Sequence, residues 1–108
     1  MLTIIANILL LELILGKYEE AIHEHETELH LSEALDDSIG AAVGNRKIGE
    51  CYCELGQYDK ALQHQERHLS LAQSCNDDVE EQRAWATIGR TYLFQVKKCL
   101  QLKVSYRY

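Results

Sequence analysis

The stretch WATIGRTYLF, residues 85–94, decides the fold. It reads as helix except for its central glycine, which costs roughly 1 kcal/mol there relative to alanine, so something must need the missing side chain. Forty residues earlier, NRKIGECYCE (residues 45–54) sets Ile48, Gly49 and Tyr52 at the spacing of Ile88, Gly89 and Tyr92. A second pair keeps the same offset. Leu15, Gly16, Tyr18 and Ala21 in LGKYEEA match Leu55, Gly56, Tyr58 and Ala61 in LGQYDKA. The chain is an internal repeat with a 40-residue period.

Apolar residues set the helices. Tyr58, Ala61, Leu62, Leu69, Ala72 and Cys75 recur at spacings of three, four and seven, and Tyr18, Ala21, Ile22, Leu29 and Leu31 follow the same plan. Each such face is too narrow for a solitary helix and must pack on neighbours. Gly16 and Gly56 fall where a helix should stop. Asp37 and Asp77 stand where a short carboxylate caps the next helix, and Asp78 with Glu81 reads as a capping box. The spacing predicts helices near 2–15, 18–34, 38–55, 58–75 and 79–95. Gly49 and Gly89 should let their helices approach a hairpin partner closely, with Ala21 and Ala61 as the small residues facing the contact.

A chain of 108 residues supports one domain, and 46% hydrophobic with 26% charged residues and no proline favours an all-α soluble fold. Its net charge of −6 is uneven: all 17 acidic residues precede residue 95, and the tail carries Lys97, Lys98, Lys103 and Arg107. An acidic body disfavours nucleic acid and favours basic protein partners. The opening LTIIANILLLELIL lacks a basic leader, is too short to span a bilayer and contains Glu12, so it reads as a buried helix, with no membrane contact expected. Cys51, Cys53, Cys75 and Cys99 form no CxxC pair and read as reduced thiols.

Trp85, Ile88, Gly89 and Tyr92 match in full the pattern of a tetratricopeptide repeat, and the chain resembles that family over residues 1–94. Asn45 replaces the Trp in the middle repeat, and Ile5, Ile8, Leu9 and Glu12 replace all four residues in the first. The resemblance implies a solenoid of helical hairpins, about two and a half repeats, with residues 95–108 as a basic tail outside it. In that tail Val96, Lys98 and Gln101 stand where Gly, Tyr and Ala are expected. The strings GNRKIGE, YDKALQHQERHLSLA and EQRAWATIGRTYL are similar to the amino-terminal repeats of nuclear scaffolds of replication-fork recombination repair. Those scaffolds add ankyrin and leucine-rich repeats and are associated with newly made histones. The resemblance therefore implies a non-enzymatic, nuclear module that binds proteins such as histones or repair factors; the alternatives are a cytoplasmic polarity-type peptide scaffold or a structural fragment without its own ligand. Self-association through exposed repeat ends is a further expectation.

In stacks of this class the Gly-bearing helices line the concave surface. That implies groove positions Val43, Arg46, Glu50 and Cys53, then Arg83, Ala86, Arg90 and Leu93. Arg46, Arg83 and Arg90 would form a basic strip for a carboxylate, unless they pair with Glu50, Glu54 or Glu81. Trp85 is expected in the core. No phosphate loop, GxSxG or HExxH occurs, so no catalysis and no cofactor are expected. His64 and His68 share a helix face as zinc ligands can, but no second cluster completes a site; His25 and His68 are expected at hairpin contacts and the other histidines in solvent.

Overall fold

A computed structural model describes residues 2–107 in backbone and 2–102 in side chains. Four helices follow one another: α1 (Leu2–Ala34), α2 (Ser38–Glu54), α3 (Tyr58–Ser74) and α4 (Asp78–Arg107). Each packs on its neighbour in sequence, antiparallel to it, and no strand is present among the described residues. This is the all-α stack of helical hairpins expected from the repeat.

The three turns share one geometry. Asp36, Gly56 and Asn76 take left-handed φ values of 53°, 75° and 53°, 20 residues apart. After each comes a reach-back hydrogen bond: Asp37 N–H to Ser32 O at 2.8 Å, Gln57 N–H to Tyr52 O at 2.9 Å, Asp77 N–H to Ala72 O at 3.0 Å. These are Schellman closures, which satisfy the carbonyls at a helix end. Asp37 Oδ1 then accepts from Gly40 N–H at 3.0 Å, and Asp77 Oδ1 from Glu80 N–H at 3.1 Å, so both aspartates cap as expected. The capping box does not form between Asp78 and Glu81. Asp77 is the cap, and Asp78 is already helical.

The first hairpin is also corrected. Gly16 does not end a helix: α1 runs through it, and nothing lies within 4 Å of where its Cβ would be. The reason lies seven residues earlier. At the place of Gly49, the first repeat has Leu9, whose side chain would occupy the space a returning helix needs. Residues 2–15 are therefore helical but not buried, and Leu2, Ile4, Ile5, Ile8, Leu9, Leu10, Leu11, Leu13 and Ile14 all face solvent. At the other end, position 96 is next in the 20-residue series. Val96 is β-branched and resists positive φ, so α4 runs on to Arg107 with no turn at residue 94. The side chains of Lys103 and Arg107, two of the tail's four cations, lie outside the described residues.

The core sits between α1, α2 and α3. Ile22, Leu29, Ala41, Ile48 and Cys51 form its centre, with Tyr18, Ala21, Tyr52, Leu55 and Leu71 against them. Gly49 provides the expected close approach: a Cβ there would stand 3.0 Å from Gln65 Cγ and 3.3 Å from Ala61 O. Gly89 does not. It faces open space, and with it Trp85 and Tyr92 are 55% and 50% exposed rather than in the core. Their counterparts in α2, Asn45 and Tyr52, are covered by His64 of α3; among the described residues no helix stands in that place beside α4.

Candidate protein-binding groove

The Gly-bearing helices α2 and α4 lie side by side, as a concave layer requires. Cys53 Sγ is 3.8 Å from Thr91 Oγ1, and Arg46 Nε is 4.0 Å from Glu80 Oε2. Behind them the fully buried Thr91 hydroxyl stands 2.9 Å from both Gln65 Oε1 and the Thr87 carbonyl, tying α4 to α3. Between the two helices and Tyr18 of α1 opens a groove of about 300 Å³. Glu50, Cys53, Glu54, Arg90 and Phe94 line it. Glu50, Cys53 and Arg90 are thus brought together as the repeat register predicts.

Arg46 and Arg83 belong to a different cluster. Glu80 accepts from Arg83 at 2.8 Å and from the fully buried His68 Nε2 at 2.8 Å, with Arg46 beside it. Arg46 also reaches Glu50 at 3.6 Å. The basic strip is therefore largely neutralised, and among the described residues Arg90 alone of the three makes no ion pair. Exposed pairs such as Arg83–Glu80 add little stability, but they occupy the guanidinium. Of the partners expected for the arginines, only Glu50 is used among the described residues; Glu80 was missed, although its spacing of three from Arg83 on one helix was an available signal. The Gln65–Thr91 contact, 26 residues apart, left no such signal.

Asn45 Nδ2 donates to Ala41 O at 2.9 Å, which turns its Oδ1 toward His64 Nδ1 at 3.0 Å. His64 also stacks on Tyr52, with centroids 5.7 Å apart, so it is a contact residue rather than a solvent one. Burial, with help from Arg67, holds its pKa below the ordinary histidine value. His25 is half-buried and stands 3.3 Å from Glu28. Burial, then Glu50 and Glu54, push the Cys51 thiol up, so it stays protonated and unreactive at neutral pH. Among the described residues no three His, Cys, Asp or Glu side chains gather as a metal site. No described helix is long and apolar enough to cross a membrane.

The outer face of α1 is acidic. Glu19, Glu20 and Glu24 surround a shallow depression with His23 and Gly16. Tyr58, by contrast, marks the α3–α4 contact, with the Phe94 ring 6.5 Å away and Lys98 Nζ 5.7 Å above its own ring.

The tetratricopeptide repeat profile matches residues 3–74. Over 78 residues, or 72% of its length, the chain is 56% identical to Tonsoku-like protein of Bos taurus and 51% identical to that of Mus musculus. The counterpart from Drosophila melanogaster is 37% identical over the same share. The chain spans about 6% of the length of these curated relatives. Antiparallel helices turning every 20 residues, the Gly49–Ala61 seat and the profile match lead to one conclusion: the chain belongs to the tetratricopeptide repeat family.

Proposed function

We propose that this chain is a non-enzymatic protein-binding module that takes a basic protein segment, and that it serves in a nuclear scaffold of replication-fork recombination repair, with histone tails as the partner class. The observation that carries the charge preference is Glu80, which engages Arg83 and stands beside Arg46. With Glu80 and Glu50 offsetting those two guanidiniums, and Glu54 facing Arg90 across the groove, the acidic residues of α1 dominate the field felt by an approaching peptide. The nuclear assignment rests on what the resemblance to replication-fork repair scaffolds implies. Self-association, the other partner expected, rests on a different surface.

Fluorescence anisotropy with a basic histone-tail peptide tests this reading. Glu24→Lys with Glu28→Lys should weaken binding and flatten its salt dependence, while Arg83→Glu, which frees Glu80 and adds a negative charge, should not weaken it. If an acidic peptide binds instead, and Arg90→Glu abolishes that, the groove is a carboxylate reader and the proposal fails. A pull-down that retrieves cytoplasmic polarity adaptors and no histone or repair factor would overturn the nuclear assignment.

A further inference from the structure

Two helices overhang the stack at the same end. Because neighbours are antiparallel, residues 2–15 of α1 and 95–107 of α4 both extend past the α2–α3 turn, each for about 20 Å. The longest dimension of the molecule is 52 Å, little more than α1 itself at about 50 Å, so the overhangs do not project from opposite ends. The molecule is a two-pronged fork with Leu55–Gln57 at its base.

Both prongs carry apolar seams without a cover. Along α1, Ile4, Ile8, Leu11 and Leu15 continue, at alternating steps of four and three, the row of Tyr18, Ile22 and Leu29 that packs on α2. The row is an established helix–helix interface that simply outlasts α2. On α4, Tyr92, Val96 and Cys99 step by four and three into a cleft of about 870 Å³, between the prong and the first turn of α3. Gly89, next below in that row, leaves room for a helix backbone as Gly49 does for α3. Exposed apolar area of this extent marks an interaction surface.

Charge selects the occupant. Of the prongs themselves, residues 2–15 hold Glu12 and no basic residue, whereas residues 95–107 hold Lys97, Lys98, Lys103 and Arg107 and no acidic residue. Pairing α4 with α4 would set those four cations together, and pairing α1 with α1 would set Glu12 against Glu12; pairing α1 with α4 sets Glu12 against the cations. We propose that a second copy of this chain fills the cleft, the α1 prong of each copy lying on the α4 prong of the other. Reciprocal exchange makes the contact two-fold and closed, and it requires no further copies. It is independent of the groove, so loss of peptide binding and loss of pairing are separate results.

Sedimentation velocity of the full chain across a dilution series should show a reversible monomer–dimer equilibrium. Ile8→Glu and Val96→Glu should each raise the dimer Kd by at least about tenfold with helicity unchanged. Cross-linking serves where either variant loses helix. With Ile8→Cys, Cys53→Ser and Cys75→Ser, mild oxidation should link the new thiol to Cys99 of the second copy, and Cys99→Ser should abolish that link. A link that persists without Cys99 means α1 pairs with α1 and overturns the proposal. So does a chain that stays monomeric at every concentration, whether or not it floats with neutral lipid vesicles.

Discussion

Gly49 and Gly89 occupy the same place in the repeat and have opposite surroundings. Replacing Gly49 with Leu drives a side chain into Ala61 O and Gln65, and should cost about 1–3 kcal/mol or more of stability by urea denaturation. At dilution, where the chain is monomeric, Gly89→Leu meets open space and gains helix propensity, so its midpoint should stay level or rise. Equal losses at both sites would mean that a helix covers Gly89 after all. His64 makes the second residue-scale prediction. Its folded pKa is below the unfolded value of about 6.5, so its neutral form is the one the native state favours. The stability tied to it is complete above the unfolded pKa and is lost as pH falls through that value toward the lower folded one. Stability should therefore decline on acidification from pH 7, and His64→Asn should reduce that slope. An imidazole NMR titration with a midpoint at or above the unfolded value would contradict it. Both glycines were visible as a pattern. Their difference was not, because it depends on whether a neighbouring helix exists.

At the scale of the element, turns recur at Asp36, Gly56 and Asn76 and fail at positions 16 and 96. Gly56→Ala forces an L side chain into φ 75° and should destabilise by about 1–2 kcal/mol. Gly16→Ala does the reverse: inside a helix with open space around it, it should stabilise by about 0.5–1 kcal/mol in thermal denaturation. A destabilising Gly16→Ala would restore the turn there. The two glycines sit in nearly identical words, LGKYEEA and LGQYDKA, so local sequence reads them alike. What separates them is Leu9 against Gly49, the residue that decides whether the preceding helix can fold back. Val96 was legible as a departure from the pattern. Its consequence, a helix that runs on through the tail, follows from β-branching at a site that needs positive φ.

For the whole molecule, each helix packs chiefly on its sequence neighbours, so stability is close to a sum of adjacent interfaces, the largest of them meeting in the core around Ile48. Damage at the centre should exceed damage at the prongs. Ile48→Ala, fully buried between α1 and α3, should cost about 2–5 kcal/mol, and Ile8→Ala at dilution, where the chain is monomeric, no more than about 0.5 kcal/mol. Similar losses would show that residues 2–15 are packed in the monomer. The radius of gyration, 16.7 Å, exceeds the roughly 13 Å of a compact chain of this length, as the prongs require. The sequence by itself determined the family, the 40-residue period, the aspartate caps and the Gly49 seat, because periodicity, caps and small residues act within one or two turns of chain. The family resemblance, with the register, also implied that Glu50, Cys53 and Arg90 share a face, and the three line one groove. Only the tertiary structure decided that Arg46 and Arg83 converge on Glu80, that Trp85 stands in solvent, and that residues 2–15 stay straight. Those outcomes depend on which helix lies beside which, and a neighbour's presence follows from the room that residues such as Gly49 or Leu9 leave across the stack, which a reading of one segment at a time does not reach.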